Sequence, residues 1–228
     1  MAQKIASIIL PALNEAESIG HVLSSIPQEW VHEVLVVDGG SSDATILIAG
    51  EHGARVIHES RRGYGRACHS GLLAASGEFV VFLDADGADD PRHLHQLLAP
   101  LVNGQAGLVL GSRLAGEMDE GAMPWTQWMG NALAAAMFRS LYHLQLTDLS
   151  PFRAAPRRKL LELDLVEMTY GYPTEMIARA ARCGWKILEI PVSYHRRIGG
   201  KSKITGTWRG TLLASVQILR LILSYYRR

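Results

Sequence analysis

Short apolar runs alternate with helical segments through the first half of the chain, and this alternation restricts the fold more than any other feature. Lys4 to Leu10, Val34 to Val37, Arg55 to His58, Glu78 to Leu83 and Leu108 to Leu110 read as strands. Between them lie a helix over Glu15 to Ile26 capped by Asn14, one capped by Asp43 and running to about His52, one over Gly65 to Ser76, and one started by Pro91 and ending near Asn103. Continuous apolar strands bridged by helices fit a sheet buried on both faces, because parallel neighbours need a long crossover. The expectation is an α/β, Rossmann-like, mostly parallel sheet flanked by helices. After Gly111 the rhythm changes. An Ala-rich helix is predicted over roughly Trp125 to Tyr142 and another around Thr174 to Arg182, followed by a hairpin-like pair, WKILEI and VSYHR.

The 228 residues suit one domain, 1–205, followed by an amphipathic C-terminal helix, 206–228. A net charge of +1 supplies no field for a polyanion, so no nucleic-acid partner is expected. Cys68 and Cys183 lie far apart, which fits reduced thiols in a cytoplasmic protein. The first apolar run holds Pro11 and then meets Asn14 and Glu15, unlike a secretory leader. The last apolar run, TLLASVQILRLILSYYRR, is interrupted by Arg220 and falls short of the ~20 residues of a spanning helix. Leu212, Leu213, Val216, Leu219, Ile222, Leu223 and Tyr226 share one helical face. Two outcomes stay open for it: lying in a membrane interface with its arginines on lipid phosphates, or docking on its own domain or on a second copy in a homo-oligomer.

Ligands of open α/β sheets bind beyond the carboxyl ends of the strands. Three polar stretches fall there: Pro11 to Glu15, Asp38 to Asp43, and Asp84 to Asp86. Asp84, Asp86, Asp89 and Asp90 lie close together in FLDADGADDP. Two carboxylates 4 Å apart near a protein surface repel by about 4 kcal/mol. A divalent cation between them removes that cost, and hard oxygen ligands suit magnesium or manganese. Asp84 and Asp86 are therefore the candidate metal ligands, and Asp89 and Asp90 are expected to cap the Pro91 helix. Taken alone, the same acids also fit a solvated turn. Arg61, Arg62 and Arg66 surround GYG, and Arg66 opens a helix where a cation opposes the dipole. A diphosphate partner would reverse that conflict, so Gly65 and Arg66 are candidate substrate contacts.

IILPALNEAESI, VLVVDGGSSDAT, GYGRACHSGLLAASGEFVVFLDADGADDP, GSR, TDLSPFRA, YGYPTEM and RRIGGKSK follow one another in that order. From about Ala6 to Lys203 the chain resembles the family 2 glycosyltransferases of GT-A fold, and among them the polyprenyl-phosphate (dolichyl-phosphate) mannose and glucose synthases. The resemblance implies that Pro11, Leu13 and Glu15 line a nucleotide pocket and that Asp38 holds the nucleoside. It implies that Asp84 and Asp86 form the metal-binding D-x-D. Arg113 and Arg197 match arginines that grip an acceptor phosphate, with Lys203 closing the same motif, and Asp148 and Glu175 match acceptor-side acids. Gly39 departs from the family by standing where many relatives carry a second acid that reads the base, so the choice of nucleotide stays open.

The expected activity is inverting transfer of a hexose from a nucleotide-sugar donor, of the GDP-mannose or UDP-glucose type, to a polyprenyl phosphate, with Mg2+ or Mn2+. The expected location is peripheral, on the cytoplasmic face of the membrane. An ionised phosphate acceptor needs positioning rather than a base, and the forked donors of arginine suit that task. A hydroxyl acceptor would need a base, for which Asp148 is the first candidate. Two rivals stand beside this reading: the same fold serving a soluble or saccharide acceptor, and a nucleotide-binding or scaffold protein without turnover.

Overall fold

The computed structural model of the chain describes residues 4–199 and 208–227, the latter as backbone alone up to residue 215. Its centre is a seven-stranded sheet built from β1 (Ala6–Ala12), β2 (Val31–Asp38), β3 (Arg55–His58), β4 (Phe79–Phe82), β5 (Leu108–Ser112), β6 (Arg153–Pro156) and β7 (Ile187–Pro191). The order is β3-β2-β1-β4-β6-β5-β7, and β6 alone runs antiparallel to its neighbours. The expected hairpin does not form. WKILEI supplies β7, which pairs in parallel with β5, while Tyr194 makes only isolated bridges to Asp89 and Met118.

Alternation along the strands divides the core between two faces. Ile9, Leu35, Val37, Val80, Phe82, Leu108 and Leu110 point to one side. There they meet α3 (Tyr64–Ala74), α5 (Trp125–Tyr142), α7 (Tyr172–Arg182) and α8 (Trp208–Arg227). Ile8, Leu10, Val36, Val81 and Val109 point to the other, against α1 (Ile19–Ser25) and α4 (Leu94–Val102). The period of two along a doubly covered sheet produces this split directly. Two short helices, α2 (Thr45–Glu51) and α6 (Arg157–Glu162), complete the layers.

Helix α8 packs on α5 and α7 through Ile222 and Tyr225, both buried, and Tyr142 donates from its hydroxyl to the Ile222 carbonyl at 2.8 Å. One face of the terminal helix thus docks on its own domain, while Val216, Leu223 and Tyr226 stay exposed. Among the described residues no helix is long and apolar enough to cross a membrane.

Candidate active site

The carboxyl ends of β1 and β2 are tied together before any ligand arrives. Asn14, expected as a helix cap, instead sits at φ 52° and accepts at Oδ1 from the Ser42 N–H at 2.8 Å. The Asn14 N–H donates to Ser41 Oγ, the Glu15 N–H to Thr45 Oγ1 and the Ala16 N–H to Asp43 Oδ2. Helix α1 accordingly begins four residues later than a cap at Asn14 would start it, at Ile19. Asp38 is buried and accepts from the Gly40 and Ser41 N–H groups at 3.0 Å, with His58 Nδ1 3.8 Å away. Pro11 lies in β1 opposite Val37 and Leu13 follows the strand, so Pro11, Leu13, Glu15 and Asp38 gather at one end of the paired strands.

The switch point of the sheet lies between β1 and β4, and the acids stand beside it. Burial and the neighbouring Asp86 push the Asp84 carboxyl up to about 6, against the hydrogen bond that Tyr64 Oη donates to Asp84 Oδ1 at 3.0 Å. Asp86 Oδ1 accepts from the Ala88 N–H, and Arg197 Nη2 lies 2.6 Å from Asp86 Oδ2. Arg197 Nη1 also reaches Glu15 Oε1 at 3.5 Å. The 195–198 strap that carries this arginine is pinned by N–H bonds from His195 to the Ala88 carbonyl and from Ile198 to the Asp86 carbonyl. Gly87, at φ 78°, leaves room for Ile198, whose Cδ1 would lie 2.4 Å from any Cβ there.

These residues fit a divalent cation. Asp84 and Asp86 supply hard oxygens, burial and then crowding by Asp86 raise the Asp84 pKa, and a guanidinium already pairs with Asp86. Among the described residues no group of three or more His, Cys, Asp or Glu is arranged to hold a metal by itself. Magnesium in particular is bound by one or two carboxylates plus substrate phosphates.

Asp90 caps the turn before α4 as expected, accepting from the Arg92 N–H, but Asp89 does not. It is buried, and its Oδ1 has no hydrogen-bond partner among the described residues. Asp148 is corrected as a candidate base. Its Oδ2 accepts from Arg113 Nε at 2.7 Å and its Oδ1 from Arg113 Nη2 at 2.8 Å, with the Arg113 and Leu149 N–H groups added. A fully buried carboxylate engaged on all these donors holds its arginine in place and has no route to a substrate proton.

Arg113 stacks over the Tyr194 ring at 5.0 Å and faces a pocket of about 370 Å³. Tyr64, Asp84, Asp86 and Arg197 line its charged end, and Pro124, Ala134, Leu149 and Ile218 line an apolar wall made by α5, α8 and the 149–151 turn. The Gly65 and Arg66 N–H groups donate to the Thr169 and Met168 carbonyls at 3.0 Å, so the opening of α3 docks on protein backbone through them. Glu175 is fully buried behind the pocket, accepting from the Val166 and Glu167 N–H groups and from Tyr225 Oη, beside Arg179. Lys203 lies outside the described residues.

Two site residues escaped sequence reasoning. Tyr64 stands between the two glycines of GYG, a pattern that signals a turn and not a tyrosine's role. Arg153, fully buried, donates to the Leu149, Ser150, Pro151 and Pro173 carbonyls and so fixes the turn that walls the pocket. Its place in TDLSPFRA, five residues after the motif acid Asp148, is the available signal.

The model of glycosyl transferase family 2 matches residues 7–163. The chain belongs to this family. An uncharacterized glycosyltransferase of Mycobacterium tuberculosis is 41% identical over 224 residues, 97% of this chain and 100% of the relative. The undecaprenyl-phosphate mannosyltransferase of Micrococcus luteus is 31% identical over 225 residues, covering 91% of this chain and 90% of the relative. Among solved structures, glucosyl-3-phosphoglycerate synthase of Mycobacterium tuberculosis with Mn2+, UDP and glucosyl-3-phosphoglycerate superposes with a TM-score of 0.76 at 28% identity, over 98% of this chain and 80% of that one. The sheet with its flanking helices is thus the GT-A arrangement, and the protein is a glycosyltransferase.

Proposed function

We propose that the enzyme transfers a hexose from a nucleotide-sugar to the phosphate of a polyprenyl phosphate, with inversion and with Mg2+ or Mn2+ held by Asp84 and Asp86. One observation supports this reading above the others. A single pocket joins a charged end, Asp84, Asp86, Arg113 and Arg197, to an apolar wall, and the helix that lines it exposes Trp125, Trp128, Met129 and Leu133 on its neighbouring face. A charged head and an apolar tail are what a lipid phosphate presents. The relatives named for undecaprenyl-phosphate and polyprenol substrates point the same way. The enzyme then works peripherally, at the cytoplasmic face of the membrane.

In the transfer, the bond from the anomeric carbon to the diphosphate oxygen breaks and its electron pair leaves with the nucleoside diphosphate. An acceptor phosphate oxygen forms the new bond from the opposite face. The cation supplies charge for the departing diphosphate, where the need is greater in the transition state than before it. The acceptor is already an anion, so no base is required, in keeping with an Asp148 committed to Arg113. That commitment fixes the edge Arg113 turns to the pocket. Arg197, which bridges Asp86 and Glu15 and lines the pocket, would grip phosphate oxygens.

A second reading, a small soluble acceptor, draws on the structural neighbours, which were crystallised with phosphoglyceric acid. Incubation of radiolabelled nucleotide-sugars with polyprenyl phosphate and with phosphoglycerate separates the two. Label entering the organic phase supports the lipid reading, and label confined to the aqueous phase overturns it. Asp86→Ala should abolish either product while the far-ultraviolet spectrum is unchanged, and a near-parental rate would contradict the cation assignment.

A further inference from the structure

We propose that Tyr64 is a positioning residue for the cation ligand Asp84, an inference that rests on the cation reading above. The phenol is the one hydrogen-bond donor to the Asp84 side chain among the described residues, at 3.0 Å to Oδ1, and it lines the same pocket. The phenol fixes Oδ1 and so the plane of the carboxylate, in a pocket that Asp86 also lines. Two crowded carboxylates otherwise swing apart, and an ion that takes only two protein ligands depends on both being aimed before it arrives.

The phenol itself stands on a rigid base. It opens α3, whose next two N–H groups bond to the Thr169 and Met168 carbonyls. Gly63 and Gly65 allow that approach: a Cβ at Gly63 would lie 2.3 Å from the Met168 carbonyl oxygen, and one at Gly65 would lie 2.7 Å from the Glu167 carbonyl oxygen. Further along the helix, Gly71 seats it on Ile9 of the central strand. The GYG sequence therefore docks the helix tightly enough to place a hydroxyl on Asp84.

The test compares the parent, Tyr64→Phe and Asp86→Asn by thermal denaturation, with Mn2+ titrated at fixed excess UDP and, separately, fixed excess GDP. A cation that binds only the folded protein raises its melting temperature. Tyr64→Phe keeps the ring and its packing, so its melting temperature without metal should stay within a few degrees of the parent. The Mn2+ concentration giving half the shift should rise about tenfold, the lower end of the loss seen when a ligand loses its outer partner. Transfer by Tyr64→Phe should recover toward the parental kcat at high Mn2+, which a general structural defect would not allow. A half-shift equal to the parent's, while Asp86→Asn shows no shift, overturns the role of Tyr64 and leaves the cation reading standing. A parental shift in Asp86→Asn, or no shift in the parent with either nucleotide, overturns the cation reading and this inference with it.

Discussion

Arg113 and Asp148 form a two-point ion pair in which the side chains are 4% and 0% exposed. The pair joins the end of β5 to the turn before β6, two segments that line the pocket. Removing one partner from such a pair strands the other charge in a dry site, at a cost of about 3–5 kcal/mol. Asp148→Asn should therefore lower stability by roughly that amount in urea unfolding. It should weaken acceptor binding through Arg113 without introducing the pH dependence of a lost base. Full stability with a selective loss of an acidic-limb ionisation in kcat would show that Asp148 acts as a base after all.

Glycines divide sharply by surroundings. Gly65→Ala places a methyl 2.7 to 2.8 Å from the backbone of Glu167, Met168 and Thr169, atoms that cannot rotate away. A loss of about 1–3 kcal/mol or more is expected, as for other overpacked sites. Gly50→Ala, inside α2 with nothing within 4 Å of the added carbon, should gain about 0.5–1 kcal/mol from helix propensity. Chemical denaturation of the two variants beside the parent checks both signs. A stable Gly65→Ala would mean that α3 does not sit this close to the 167–169 backbone.

Glu59 follows β3 and accepts from Arg61 through Nε and Nη2 at 2.9 and 3.0 Å and from Ser70 Oγ at 2.6 Å. The Arg61 and Ser70 donors hold its carboxyl far below the usual 4.5. A depressed folded pKa means that the unfolded chain takes up the proton first as pH falls. The stabilisation is complete above pH 4.5 and is lost progressively below it. Glu59→Gln should be less stable than the parent at pH 7, and the gap should shrink between pH 5 and pH 3. A gap that is constant across this range would show that the carboxylate's charge contributes nothing.

The strands and the acidic strand end were legible because burial on both faces writes continuous apolar runs, and because a carboxylate pair set directly after Phe82 and Leu83 repels itself unless a cation offsets the charge. What stayed hidden depended on contacts across the chain. Nothing local says that the N–H groups of Gly65 and Arg66 face residues 168 and 169, so a helix start that looked open to phosphate was in fact occupied. Asp148 read as an available acid because its partner Arg113 lies 35 residues away. VSYHR looked like a strand by composition, yet β7 had already taken the place beside β5, and Tyr194 was left to stack on Arg113.

Helices α5 and α8 together contain no Asp or Glu, but they carry Arg139, Arg209, Arg220 and Arg227. On the same pair, Trp125 is 71% exposed, Trp128 51% and Tyr226 53%. Acid-free helices with exposed aromatic rings suit an anionic lipid surface, where tryptophan settles at headgroup depth and arginine meets phosphate. Each ring can bury about 150–250 Å² when it inserts. Even partial insertion of two rings is worth more than the ~1.4 kcal/mol that makes a tenfold change in affinity. The double variant Trp125→Ser, Trp128→Ser should therefore bind phosphatidylglycerol vesicles at least about tenfold more weakly in flotation assays. Its melting temperature should be unchanged, because neither ring is part of the core. Binding by the parent should also weaken as salt rises, since the exposed Arg139, Arg220 and Arg227 are screened. A parent that ignores such vesicles, or a variant that binds them equally, would move the acceptor reading toward a soluble substrate, because a lipid phosphate must be met where it resides.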